Sequence, residues 1–110
     1  MANSSELVSV LLSVYNSEKT LEDSIKSLLN QTHSNLEILI ANDGSTDSSK
    51  EICRKFQLKD ERIVFFDSKV NIGLTKSLNN LAKEAKGSLI ARQDADDISF
   101  PMRIEKQIQF

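Results

Sequence analysis

Residues 7–41, which read LVSVLLSVYNSEKTLEDSIKSLLNQTHSNLEILIA, decide the fold of this chain. The stretch begins with a nearly continuous apolar run over 7–14, which is typical of a strand buried on both faces. The spacing of apolar residues then becomes helical, and one helix face carries Leu21, Ile25, Leu28 and Leu29. After a polar turn, 36–41 is a second apolar strand. This order predicts a parallel strand–helix–strand unit.

The rest of the chain repeats this alternation. Ser48 and Glu51 have the spacing of a capping box, so a second helix is predicted to begin there. Residues 62–66 and 88–92 predict two more strands, and we expect Gly87 to close the helix between them. Pro101 suits the first turn of a fourth helix. The predicted fold class is therefore α/β, Rossmann-like, with a mostly parallel sheet flanked by helices on both faces.

Composition excludes several classes of protein. The chain has 110 residues and a formal charge of −2, without a block of Lys or Arg, so no nucleic-acid partner is expected. Cys53 is the single cysteine, which excludes a disulfide framework and fits a reduced, cytoplasmic setting. The apolar run over 7–14 is too short to span a bilayer. We expect residues 1–6 to be a disordered leader and 7–110 to be one domain, truncated at its C-terminus because its last apolar-periodic segment stops at Phe110.

Polar residues follow each predicted strand. Because the carboxyl ends of parallel strands meet at one edge of a sheet, where ligands bind, we expect these residues to share a rim. They are Tyr15 and Asn16 after the first strand, Asp43 after the second, Asn71 and Gly73 after the third, and Asp94 and Asp96 after the fourth.

The segment DADD, 94–97, crowds three carboxylates into four positions. Such a cluster can hold a hard divalent cation, Mn²⁺ or Mg²⁺, which takes its other ligands from water and a substrate phosphate. The alternative is a solvated turn that caps a helix and binds no ion. Its position on the ligand rim favours the cation site.

Three segments together resemble the N-terminal, nucleotide-sugar-binding portion of a family 2 glycosyltransferase with the GT-A fold. They are VSVLLSVYNSEKTLEDSIKSLLNQTHSNLEILIANDGSTD (8–47), NIGLTKSLNNLAKEAKG (71–87) and ARQDADDISFPMRIEKQ (91–107). The resemblance runs over 7–110. It implies a metal-dependent, inverting enzyme that moves a sugar from a nucleotide-diphosphate donor, with a UDP-sugar favoured, to an acceptor hydroxyl.

The resemblance also implies roles for single residues. Tyr15 would lie against the nucleotide base, and Asp43 would accept a hydrogen bond from its imide N–H. Asp94 would lie near the ribose or the metal's water shell. Asp96 would be the leading metal ligand, and Asp97 could replace or assist it.

Two positions depart from the family's pattern. Asn42 stands where a second acid is common, and Leu78 stands where an arginine could meet a phosphate. Lys76 or Arg92 is the hypothesised replacement for that arginine. The catalytic base is expected beyond Phe110.

The acceptor is expected to be a carbohydrate or a lipid-linked sugar. The place of action is expected to be the cytoplasm or the inner face of the membrane, with membrane association only through a region beyond Phe110. Two alternatives stay open. One is a nucleotidyltransferase or phosphatase, although the segment after the first strand has neither a Gly-rich loop nor an aspartate nucleophile. The other is a non-catalytic module that binds a nucleotide or a partner protein.

Five residues have predicted structural roles. Asn71 and Gly73 should shape the third loop, with a positive φ at the glycine. His33 should be a surface or capping residue at the opposite rim. Cys53 should pack in the core. Arg103 is expected to pair with the acidic cluster.

Overall fold

The computed structural model describes residues 6–108. Except for Glu6, the predicted leader lies outside the described residues, as does Phe110. Strands and helices alternate along the chain. They are β1 (Val8–Val14), α1 (Leu21–Leu29), β2 (Leu36–Asp43), α2 (Ser49–Lys59), β3 (Ile63–Ser68), α3 (Leu74–Glu84), β4 (Leu89–Asp94) and α4 (Arg103–Gln107).

The four described strands form one parallel sheet in the order β3-β2-β1-β4. The α/β class predicted from the apolar pattern is therefore confirmed. Val10 at the centre of β1 pairs with Ile38 on one side and Ala91 on the other. The chain winds outward from β1 through β2 to β3 and then returns to the other side of β1. The winding direction thus reverses between β1 and β4, which is where ligands bind in sheets of this kind.

Helices cover both faces of the sheet, because alternate residues of each strand point to opposite sides. On one face, Val10 and Ile40 pack with Ile25 of α1, Cys53 of α2 and Ile104 of α4. On the other face, α3 packs alone among the described helices. Its cluster consists of Leu11, Leu39 and Leu81, with Leu78 and Phe66 against it. No helix within residues 6–108 is long and apolar enough to cross a membrane.

Several local predictions need correction. β2 and β4 each run two residues further than predicted, so Asp43 and Asp94 end their strands. Ser48 does precede α2, but its side chain makes no capping bond. Instead, Asp47 Oδ1 accepts from the Ser49 N–H at 2.9 Å, so the capping box is wrong. Pro101 lies in the turn before α4, not within the helix.

Gly87 does not close α3. That helix ends at Glu84, and the next residue, Ala85, is already extended. Gly87 is needed because it passes close to β1: a Cβ there would lie 2.6 Å from Ser9 Oγ and 2.7 Å from the Leu7 carbonyl oxygen. The glycine is therefore explained by close backbone approach and not by a helix terminus.

His33 and Cys53 are both buried. His33 was predicted at the surface or as a cap, but it is 5% exposed and its Nε2 lies 2.7 Å from the Glu6 carbonyl oxygen. It thus ties the turn before β2 to the segment before β1. Cys53 packs in the core as predicted, and burial raises the pKa of its thiol to about 12. A thiol in that environment stays protonated and unreactive at neutral pH.

Candidate nucleotide and metal site

A cleft of about 610 Å³ opens where the winding direction reverses, beyond the carboxyl ends of β1 and β4. One wall is the loop between β1 and α1, and the other is the turn after β4. The lining residues include Tyr15, Asn16, Lys19, Asp47, Leu74, Asp94 and Asp96. The residues predicted to share a rim after the first and fourth strands therefore do face one cavity.

The segment 94–97, here called the acidic turn, presents its three carboxylates together. One oxygen from each of Asp94, Asp96 and Asp97 lies within 4.8 Å of the others, and all three residues are exposed. Arg92 Nη2 lies 3.4 Å from Asp94 Oδ1 and offsets part of the negative charge. Three adjacent carboxylate oxygens are the donor set that Mg²⁺ and Mn²⁺ prefer, so the residues fit such an ion.

The three aspartates differ in what else they contact. Asp97 Oδ2 accepts from the Asp94 N–H at 3.1 Å, and the Asp97 N–H donates to the Asp94 carbonyl oxygen at 3.0 Å. Those bonds close the turn. Within residues 6–108, the Asp96 carboxylate has no hydrogen bond or ion pair at all. No contact within the described residues therefore explains why a carboxylate stands at position 96.

Tyr15 lies on the opposite wall and is 52% exposed, so its ring is open to a stacking partner. The residue after it, Asn16, has φ = 45°, which is uncommon for a residue with a side chain. Its Oδ1 accepts from the Thr46 N–H at 2.7 Å, and its own N–H donates to Ser45 Oγ at 2.9 Å. These bonds between two loops hold the backbone beside Tyr15.

Asp47 extends this attachment between the first and second loops. Its Oδ2 accepts from the Glu18 N–H at 3.2 Å, while Glu18 Oε2 accepts from the Ser48 N–H at 3.1 Å. Desolvation raises the pKa of Asp47, but the hydrogen bonds from Ser49 and Glu18 outweigh it and leave the pKa below its ordinary value. Sequence reasoning missed Asp47 as a cleft residue, because nothing local marks a partner some thirty residues away.

We expect Asp47→Asn to destabilise the fold at neutral pH and to matter less in acid. A carboxylate with a depressed folded pKa contributes stability above its unfolded pKa, and that contribution is lost as pH falls through the folded pKa. The melting temperatures of parent and variant should therefore converge below about pH 4. Thermal melts from pH 7 to pH 3 measure this. A gap that stays constant down to pH 3 would contradict the assignment.

Asp43 does not line the cleft. It is 3% exposed and borders a separate cavity of about 210 Å³ between β2, β3 and α3. Its Oδ1 accepts from the Ile72 N–H at 2.8 Å and its Oδ2 from the Gly73 N–H at 3.0 Å. Asn71 Nδ2 donates to the Asp43 carbonyl oxygen at 3.1 Å. Gly73 has φ = +93°, the positive value predicted for it, and with Asn71 it shapes this loop.

The position of Asn42, where an acid was expected, has a local explanation. Asn42 Nδ2 donates to Asp67 Oδ1 at 2.9 Å, and Lys50 Nζ lies 3.1 Å from Asp67 Oδ2. The Asn42 hydrogen bond, with the Lys50 contacts, outweighs desolvation and lowers the pKa of Asp67. The amide thus supports a partly buried pairing between β2 and β3.

The basic side chains near the acidic turn and the cleft do not lie where the sequence predicted. Arg103 does not pair with the acidic turn in the described part of the chain. Its Nη1 donates to Ser99 Oγ at 3.0 Å, and its Nη2 donates to the Arg92 carbonyl oxygen at 2.7 Å. Neither Lys76 nor Arg92 is among the residues that line the cleft, whereas Lys19 is.

The comparisons with known proteins agree on one family. The sequence model of glycosyl transferase family 2 matches residues 9–110. The chain belongs to glycosyl transferase family 2. EpsE of Bacillus subtilis (strain 168) is 43% identical over 98% of this chain. WfaP of Escherichia coli, named as a UDP-Glc:α-D-GlcNAc-diphosphoundecaprenol β-1,3-glucosyltransferase, is 38% identical over 96% of it.

A solved structure of another protein is similar to this chain in both fold and sequence. The crystal structure of S. aureus TarS 1-349 with UDP-GlcNAc superposes with a TM-score of 0.83 at 27% identity, over 91% of this chain. TarS has also been solved with UDP. The chain spans 39% of EpsE, 41% of WfaP and 29% of TarS 1-349. It thus corresponds to well under half of each relative.

Proposed function

We propose that this chain is the donor-binding part of a metal-dependent, inverting glycosyltransferase that uses a nucleotide-diphosphate sugar. The observation that carries the proposal is the convergence of three exposed carboxylates within 4.8 Å of one another, two of which, Asp94 and Asp96, line the cleft. Like charges held this close repel one another, and Asp96 gains no compensating contact from the described protein. A divalent cation between the carboxylates accounts for the arrangement.

Asp96 leads the proposed ligand set, with Asp94 and Asp97 beside it. A bound cation would act as a Lewis acid that stabilises the negative charge on the departing diphosphate. The chain's own contribution is to hold the donor in the cleft, with Tyr15 against the base. Lys19, an exposed cation on the same wall, is suited to contact the diphosphate.

The reaction proposed is a displacement at the anomeric carbon by an acceptor hydroxyl. A carboxylate base removes the hydroxyl proton as the new bond forms, which is general base catalysis. We place that base outside this chain, beyond Phe110, as the family resemblance implies.

A uridine nucleotide is the proposed donor. TarS, at 27% identity, has been solved with UDP and UDP-GlcNAc, and the name of WfaP specifies UDP-Glc. Asp43 is the proposed reader of the base, and because it borders a separate cavity, the base would extend from the cleft past Tyr15 to reach it. Both of its oxygens already accept backbone N–H bonds, but a carboxylate oxygen has a second lone pair for an imide N–H.

The acceptor proposed is a carbohydrate or a lipid-linked sugar. WfaP is named for an acceptor linked to undecaprenol diphosphate. An enzyme with such an acceptor would work in the cytoplasm at the inner face of the membrane.

Titration of the 110-residue chain with UDP, with and without Mn²⁺, tests the proposal. We expect UDP to bind weakly alone and more tightly with Mn²⁺, because the acidic turn would hold the cation and its charge would offset that of the diphosphate. Absence of UDP binding under both conditions would support the partner-binding alternative instead.

We also expect the chain to transfer no sugar by itself. The chain contains the proposed donor-binding cleft, but we place the catalytic base and the acceptor-binding residues outside it. The measurement is product formation from UDP-glucose and UDP-GlcNAc with simple sugar acceptors, against a no-protein blank. Detectable glycosyl transfer would overturn the placement of the base beyond Phe110.

A further inference from the structure

Gln93 is a buried amide on β4, directly before the acidic turn, and it is 2% exposed. Its Nε2 donates to the Ser24 hydroxyl at 2.7 Å and to the Ser24 carbonyl oxygen at 3.0 Å. The same nitrogen lies 3.4 Å from the Asp97 carbonyl oxygen. One side of the amide therefore ties α1 to the acidic turn.

The other side of the amide fixes the segment that follows the turn. Gln93 Oε1 accepts from the Ser99 hydroxyl and, at 3.3 Å, from Arg103 Nη1. Ser99 is itself buried, and its N–H donates to Ser27 Oγ on α1 at 3.0 Å. The turn is thus held at both ends by bonds that meet at Gln93.

Helix α1 and its N-cap residue, Thr20, add two hydroxyl groups to this attachment. Ser24 Oγ donates to the Asp94 carbonyl oxygen at 3.2 Å, and Thr20 Oγ1 donates to the Ala95 carbonyl oxygen at 3.0 Å. With Gln93, three of the four carbonyl groups of the acidic turn are bonded inward. These bonds fix the backbone of the turn, while Asp94 and Asp96 line the cleft.

We propose that Gln93 is a positioning residue, which with Ser24 holds the acidic turn in the shape that brings its carboxylates onto one cation. The inference rests on the proposed function, since it needs a cation at the turn. Groups that orient metal ligands without touching the metal typically change metal affinity by about 10–100-fold when they are replaced. A buried amide that contacts Ser24, Asp97, Ser99 and Arg103 has the geometry for that role.

The test compares Gln93→Met with Gln31→Met. Gln31 is a matched control because it is also a buried glutamine, 5% exposed, whose amide bonds Phe100 and Ile104 and not the acidic turn. The measurement is the UDP dissociation constant with and without Mn²⁺. In the parent, we expect the dissociation constant without Mn²⁺ to exceed the constant with Mn²⁺. In Gln93→Met, the ratio of the first constant to the second should fall by about 10–100-fold or reach one. UDP affinity without Mn²⁺ should stay that of the parent, and Gln31→Met should keep the parent's ratio.

The outcomes separate the inference from the proposed function. If the parent itself shows no effect of Mn²⁺ on UDP binding, the proposed metal dependence is overturned, and the inference with it. If the parent responds to Mn²⁺ and both glutamine variants lose the response equally, only the role of Gln93 is overturned. Ser24→Ala removes a single hydroxyl and provides a milder variant if Gln93→Met does not fold. A partial loss of the Mn²⁺ response in Ser24→Ala supports the inference, and a full parent response contradicts it.

Discussion

Asp96→Asn is expected to abolish the Mn²⁺-dependent part of UDP binding while leaving the metal-free fold as stable as the parent, or slightly more stable. The variant is nearly isosteric and removes a charge that has no hydrogen bond or ion pair within residues 6–108. Its loss relieves repulsion from Asp94 and Asp97, so the metal-free melt should not fall. The proposed cation, however, would lose its leading ligand.

Thermal melts with and without Mn²⁺ plus UDP measure this effect. At a UDP concentration 100 times the dissociation constant, ligand binding stabilises the parent by about 2.7 kcal/mol. In Asp96→Asn, the stabilisation by Mn²⁺ plus UDP should fall to the stabilisation by UDP alone. Asp23→Asn, an exposed aspartate on α1 away from the cleft, should retain the full increment.

A structural acidic turn predicts the reverse result. Loss of a capping carboxylate typically costs about 1 kcal/mol of stability and leaves ligand affinity unchanged. Suppose that Asp96→Asn lowers the melting temperature of the metal-free chain but leaves the stabilisation by Mn²⁺ plus UDP intact. The acidic turn would then have a structural role only. The proposed transferase would then lose its main physical support.

The sheet and its ligand edge could be predicted because both follow from local patterns. Apolar runs such as 7–14 and helical spacing such as Leu21 to Leu28 specify elements, and the alternation of elements specifies a parallel sheet. The carboxyl ends of the strands then share one edge by topology alone. This reasoning predicts that Tyr15 and Asp96 share one rim of the sheet, and both residues line the cleft found there.

The contacts between loops could not be predicted in the same way. Asp47 bonds Glu18, and Arg103 bonds Ser99 and the Arg92 carbonyl, because of side-chain rotamers and distances that the sequence does not encode locally. Ser48 matched a capping box by spacing, yet Asp47 supplies the bond. In each case a polar side chain had several partners within reach, and only the packed structure selects one.

Asp43→Ala is expected to lower the free energy of unfolding by about 2–6 kcal/mol and to weaken UDP binding as well. The buried carboxylate accepts the N–H groups of Ile72 and Gly73, and alanine would leave both donors without a partner. An unsatisfied buried donor costs about 1–3 kcal/mol. Urea unfolding of parent and variant measures the loss, and Asp23→Ala, an exposed position, should change stability by less than about 1 kcal/mol.

Two measurements separate the two roles of Asp43: the preference for UDP over CDP, and the effect of Mn²⁺ on UDP affinity. If Asp43 reads the base as well as holding the third loop, Asp43→Ala should lose the parent's preference for UDP over CDP. The fold increase in UDP affinity with Mn²⁺ should stay, because Asp96 and its neighbours are untouched. A variant that is destabilised as expected, yet still distinguishes UDP from CDP as the parent does, would restrict Asp43 to holding the loop. The binding assay must be run well below the variant's melting temperature, so that unfolded chain does not imitate a loss of affinity.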